Sequence, residues 1–191
     1  MQADYSVELG REDSALELPW QSEDGASRYY DLKRHPDLVL QIPEAARSPQ
    51  LSAFLSRVNA PEFPLQSAKC DAWYSQEISA EEEIFGETGK FVSYVDLVFT
   101  GNETRLSLEG HEALAKNLCM LLKRAPEMSA SVELVIRRCF YHLDHNPNES
   151  NDGFSITTYV SGFGSDESEA RRHWAIALAL LQHALVQAVR T

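Results

Sequence analysis

The sequence predicts an α+β fold: a mainly antiparallel sheet built from two hairpin-helix (ββα) units, with helices packed on one face and an N-terminal β meander and short helix ahead of them. Three observations predict it. Residues 68–124 run as two apolar, alternating segments around a polar tip, followed by a long amphipathic segment, and residues 130–190 repeat that order. The first 42 residues instead carry short alternating runs broken by turn residues. With 191 residues and 43% hydrophobic content, the chain is long enough to bury one substantial core. We therefore expect one α+β domain over 1–191, divided into N-terminal strands and a short helix (1–62), a first ββα unit (63–126) and a second (127–191).

Each element has a local cause. Tyr5, Val7 and Leu9 alternate with polar neighbours, as do Leu16 and Leu18. Asp24-Gly25 is a turn signal before the run Arg28 to Leu32, and Asp37 to Ile42 is a further apolar run closed by Pro43. Ser48 and Pro49 suit the cap and first turn of a helix whose stripe is Leu51, Phe54, Leu55 and Val58, stopped at Asn59-Ala60-Pro61. Ala68 to Ile78 and Phe91 to Phe99 read as paired strands around the glutamate-rich tip Ala80 to Gly89. Ser107 caps the next helix, striped by Leu114, Ala115, Leu118, Leu121 and Leu122 and stopped at Pro126. Val132 to Leu143 and Phe154 to Phe163 form the second strand pair around the turn formers 145–153. Ser165-Asp166-Glu167 starts a helix that runs to about Val189.

An eighteen-residue helix rises about 27 Å, comparable with a strand of eight or nine residues, so each helix can return the chain along its hairpin. The glutamate tip and the histidine-bearing tip then lie at opposite ends of the sheet. That argues against combining them into one active site.

Charge excludes several functions. Seventeen Lys and Arg against 29 Asp and Glu give a formal charge of -12, which repels a phosphate backbone and an anionic lipid surface. We expect no nucleic acid and no membrane as partner. Cys70, Cys119 and Cys139 are odd in number and form no CxxC pair, and the opening residues carry no basic start followed by an apolar run, so a cytoplasmic protein with reduced thiols is expected. No cofactor motif is present: GxSxG and GxxxxGK[ST] are both missing.

Three groups of residues carry candidate function. His142, Asp144 and His145 have the ligand types for zinc or iron and could serve a metal-dependent hydrolase, although strand alternation splits the surrounding cluster Cys139 to His145 between two faces. Trp174, Leu178, Leu181 and Leu185 form one seam of the last helix, beside a second apolar face of Ile176, Leu180 and Ala184; two neighbours are needed, either a sheet and flanking helices or a second copy of the chain. Val92 and Tyr94 make the strand 91–99 apolar on both faces, so its second face needs a cover: the N-terminal arm, another subunit or a ligand. A small-molecule sensor would instead require a sizeable apolar cavity between sheet and helices.

The doubly apolar elements and the strong acidity favour a non-catalytic protein-interaction module, acting as a homodimer and binding itself or another protein. Chaperone-like and toxin-neutralising proteins share this general character at the level of fold class.

Overall fold

The computed structural model describes residues 1–25, 27–143 and 146–189, with only the backbone described at Leu143 and from 146 to 149. It is a mixed α+β structure around a six-stranded, mostly antiparallel sheet. The strands are β1 (Gln2–Glu8), β2 (Leu16–Leu18), β3 (Leu65–Ser75), β4 (Gly89–Phe99), β5 (Ala130–Leu143) and β6 (Asn146–Gly164). Their order across the sheet is β1-β5-β6-β4-β3, and β2 continues the β1 edge alongside β5. The helices are α1 (Pro43–Arg47), α2 (Pro49–Val58), α3 (Asn102–Arg105), α4 (Leu108–Leu122) and α5 (Glu167–Ala188).

The N-terminal region departs from the expected meander. β1 and β2 both run parallel to β5, in registers from Gln2↔Ser131 to Glu8↔Arg137 and from Leu16↔Cys139 to Leu18↔Tyr141. Local alternation identifies a strand but carries no information about a partner well over a hundred residues away. The run from Asp37 to Ile42 is also not a strand: Pro36–Gln41 is a 3-10 turn, with Val39 buried and Leu40 73% exposed. Pro36 and Pro43 bracket that run, and neither has an N–H to give to a ladder. Around Arg28, pairing among the described residues is one bridge with Gln21, flanked by backbone bonds from Tyr29 to Trp20 and from Ser22 to Ser27.

Elsewhere the caps lie where the sequence puts them. Ser48 Oγ accepts from the Leu51 amide at 3.3 Å, Ser107 Oγ from Gly110 at 3.1 Å and Asp166 Oδ1 from Glu169 at 2.9 Å. Each satisfies an amide that the first helical turn leaves without an internal partner. β3 and β4 pair as an antiparallel hairpin with an irregularity between Ser67 and Cys70. Gly89 stands opposite Gly164, at the end of β6. The glutamate tip therefore lies at the end of the sheet away from the start of β6.

The core sits between the sheet and its helices. α5 lies over β6 and β4, flanked by α2, which reaches β3, and by α4, which reaches β1. Trp174 is 2% exposed, meets Phe91 edge-to-face at 4.8 Å and donates from Nε1 to Ser93 Oγ at 2.8 Å. Gly162 and Gly164 make this approach possible, because a Cβ on either would strike the backbone of α5 around Ala170 and Trp174. Trp174, Leu178, Leu181 and Leu185 are all 0–2% exposed. The seam expected as an interaction surface is thus consumed by the chain's own sheet, while Ile176, on the outer side of α5, is 47% exposed. Among the described residues, no helix is long and apolar enough to cross a membrane.

Candidate functional site: the open face of the sheet

Side chains alternate along a strand. On β4, Phe91, Val95, Leu97 and Phe99 join the core beneath the helices, and Val92, Tyr94, Asp96 and Val98 face the other way. That second face has two covers, one at each end. At one end Leu18, Ala68, Val98, Cys139 and Tyr141 form a separate buried cluster, with Leu16, Trp20 and Tyr29 packed against it; Trp20 Nε1 donates to Ala68 O at 2.7 Å. The N-terminal arm is therefore the cover for this part of β4. At the other end Phe85, in the 3-10 turn Glu82–Phe85, stacks on Phe163 at 4.2 Å. Lys90 Nζ holds Glu82 Oε2 at 2.6 Å, so part of the glutamate tip is folded onto the sheet.

Between the covers the sheet is open. Trp73 on β3, Tyr94 on β4 and Tyr159 on β6 form a row over three adjacent strands, with ring centroids 6.4 Å apart for the first pair and 5.9 Å for the second. Trp73 is 39% exposed. Beside this row lies a polar chain. Arg137 donates to Glu8 Oε2 from Nε at 3.0 Å and from Nη2 at 2.9 Å, and reaches Tyr159 Oη at 3.2 Å and Thr157 Oγ1 at 3.4 Å. Thr157 Oγ1 in turn donates to Asp96 Oδ1 at 2.5 Å. Since Thr157 accepts from a guanidinium, its single proton is free to go to Asp96.

The titration of this chain follows from its surroundings. Burial lifts the Asp96 carboxyl above the ordinary carboxylate range, against the pull of the Thr157 hydrogen bond and the charges of Arg137 and Lys69. Burial disfavours the Arg137 cation, but the Tyr159 hydroxyl and Glu8 outweigh it and hold its proton more tightly than usual. Burial and then Glu8 push Glu133 up. Desolvation raises Tyr94, with the negative charges of Asp96 and Asp71 adding to it.

Three hollows open onto this face. One of about 260 Å³ has Asp96, Ser155, Thr157, Tyr94 and Tyr159 among its lining, with Ser14 to Leu16 of the arm on its rim. Another, about 340 Å³, shares Tyr159 and continues past Trp73, Val92 and Glu133. A third, about 370 Å³, runs beneath the arm between Trp20 and Tyr30 and shares Lys69 and Tyr94 with the first. Ser155 is 1% exposed, and among the described residues its hydroxyl has no hydrogen-bond partner. Cys70 lines the third hollow, but burial pushes its thiol up to about 12, which leaves it protonated and a poor nucleophile.

The sequence-derived candidates distribute unevenly over this geometry. Val92, 5% exposed, and Tyr94, half-buried, belong to the open face. His142 lies on β5, with Nε2 3.4 Å from Glu17 Oε2. Asp144 and His145 lie outside the described residues, and among the described residues no three His, Cys, Asp or Glu side chains converge as a metal site. Two of the hollows lie on the face away from the helices, and the third also reaches Ile42, Pro43 and Glu44 at the start of α1. Asp96, Thr157, Ser155, Tyr159 and the Arg137–Glu8 pair were not singled out as a group by sequence reasoning. The signal that points to them is the alternation in β6, where Ser155, Thr157, Tyr159 and Ser161 interleave with apolar Ile156 and Val160, together with one acid in an otherwise apolar strand.

Comparison of the chain with protein-family models, with curated proteins and with solved structures finds no match.

Proposed function

We propose that the chain is a non-catalytic protein-interaction module whose working surface is the open sheet face, and that it acts as a homodimer. The observation that carries this reading is the aromatic row Trp73, Tyr94 and Tyr159, set on three paired strands on the side that the helices leave open. Aromatic side chains on a rigid sheet bury much area while giving up few rotamers, which is why they anchor interfaces. Flanking acids and hydroxyls supply a polar rim. Holding an extended segment of another polypeptide, in the manner of a chaperone or of a toxin-neutralising protein, suits a trough capped at both ends.

Self-association is assigned to a different surface, the outer stripe of α5. Ile176 is exposed there. Hollows of about 780 Å³ and 340 Å³ flank the stripe, one toward α1 and α2 and one toward the end of α4, and both include Leu180 and His183.

One pair of experiments tests both parts. Photo-crosslinked capture from the native cell extract, compared between wild type and a Trp73→Ser/Tyr159→Ser variant of unchanged circular dichroism, is expected to give a discrete partner that the variant loses. Equal capture by the two proteins overturns the sheet-face assignment. Light scattering is expected to report a dimer that Ile176→Glu dissociates, and a strict monomer removes the dimer while leaving the sheet face untouched.

A further inference from the structure

Resting on the reading of the outer α5 surface as the site of self-association, we infer that its occupant is the glutamate tip of a second copy of the chain. Each copy seats the 3-10 turn Glu82–Phe85 and its acidic flanks in the other's groove between α5 and the junction of α1 with α2.

The groove is the hollow of about 780 Å³ with Arg47, Ser48 and Gln50 on one side and α5 on the other. From Ser168 to His183 it follows α5 for about 22 Å. Ala175, Ile176, Ala179 and Leu180 supply an apolar floor. Its lining includes Arg47, Arg171 and Arg172 and, among the described residues, no Asp or Glu. That is an anion-accepting surface on a chain whose formal charge is -12.

Each of these arginines already has a carboxylate beside it: Glu44 at 3.2 Å from Arg47, Glu167 at 2.7 Å from Arg171 and Glu169 at 3.3 Å from Arg172. The pairs join residues three or four apart, and the arginine side chains are 45% exposed or more. Exposed pairs of this kind are weak. A guanidinium has five N–H donors, so donors remain for an acid that enters the groove.

The tip has the complementary character. Glu81, Glu83 and Glu87 flank Ile84, which is 65% exposed. Among the described residues none of those three glutamates is in an ion pair; Lys90 engages Glu82 instead. Ile84 offers an apolar contact to a floor that contains Ile176, itself exposed. The turn is also held in shape before docking, by Phe85 stacked on Phe163, by the Lys90–Glu82 pair and by Gly86 at φ 68°. A preformed element loses little freedom on binding. Four residues of 3-10 helix rise about 8 Å, well within the length of the groove.

Packing two outer α5 stripes directly on one another is a poorer solution. α5 carries no acid after Glu169, so that arrangement brings no carboxylate to either set of arginines. The position of the tip favours exchange instead. Thr88 Oγ1 donates to Ser165 O at 3.2 Å, just ahead of Ser168, where the groove begins. Tip and groove therefore start at the same end of the molecule. A two-fold axis at that end brings tip to groove and groove to tip in one interface, which closes the assembly at two copies.

The test uses the full chain in sedimentation velocity over a series of concentrations. Wild type is expected to be a dimer that weakens between about 0.1 and 1 M salt, as the screening length falls from about 10 to about 3 Å. Glu83→Lys/Glu87→Lys reverses the tip, and Arg47→Glu/Arg172→Glu reverses the groove. Each variant alone, with circular dichroism matching wild type, is expected to dimerise at least roughly tenfold more weakly, because like charges then meet in both contacts. Mixed in equal amounts, the two variants are expected to pair with each other, since reversed tip meets reversed groove while native tip meets native groove. Ile84→Ser, which leaves every charge in place, is expected to weaken the wild-type dimer at low and high salt alike. A dimer indifferent to reversal of the tip, or variants that stay apart when mixed, overturns the tip as occupant. If Ile176→Glu still dissociates that dimer, this inference alone is sunk; a wild type that is a strict monomer sinks the self-association reading together with it.

Discussion

Asp96 is an acid placed in the middle of a strand whose neighbours are almost all apolar, and the structure holds it by one good hydrogen bond and one indirect route to Arg137. Its folded proton affinity exceeds that of the unfolded chain, where an aspartate titrates near 3.8. A group raised in this way contributes stability that is fully present below the unfolded value and is lost as pH rises through the folded one. Near neutral pH, where the unfolded chain holds this group ionised, the protein therefore carries the cost of burying it. Asp96→Asn, which keeps an acceptor for Thr157, is expected to raise the urea midpoint near neutral pH, with the gain shrinking as pH falls toward 3.8. Denaturation curves of both proteins across that range check the sign.

At the scale of elements, the caps are the clearest case of local sequence deciding local structure. Asp166 accepts from Glu169, whose carboxylate returns to Ser165 through its amide at 3.0 Å and its hydroxyl at 2.8 Å. Asp166→Ala is expected to cost about 1 kcal/mol, seen as a lower thermal midpoint with unchanged helix content by circular dichroism. The same locality explains what the sequence made legible. Helices α2, α4 and α5, strands β3 to β5 and β6 from Phe154 onward could be located because periodicity, caps and breakers act within a few residues of one another, whereas 146–153, read as turn formers, is strand paired with β5. The partner of β1 could not, because Tyr5 and Val7 alternate in the same way whichever strand lies beside them. Trp174 to Leu185 revealed a helix needing cover, but not that the cover was Gly162 and Gly164 in its own sheet. Of the site, Val92 and Tyr94 were legible as apolar groups on a second face. The Glu8–Arg137–Thr157–Asp96 chain was not, since it draws one residue from each of four strands and exists only once β1, β5, β6 and β4 are in register.

At the scale of the molecule, the sheet has two unlike edges. β3 is the outer member of a hairpin, whereas the opposite edge is a separate strand laid parallel to β5. Glu8 comes from that strand, so the edge supports the open face as well as closing the sheet. A chain lacking residues 2–8 is expected to expose the β5 ladder, leave Arg137 without its carboxylate and lose cooperative unfolding. Light scattering should show aggregation, the usual fate of an uncovered hydrophobic edge. A Glu8→Gln substitution in the full chain separates the loss of the ion pair from the loss of the strand.

That parallel edge also sets an order of events during synthesis. Gln2–Glu8 is made well before the segment it pairs with, Ser131–Arg137. Hairpins close between neighbours while the leading strand waits, carried along by a nascent polymer that has to double back to collect it. A strand translated so long before its partner is among the last to be seated, and whatever shields it in the meantime is part of how this protein reaches its native state.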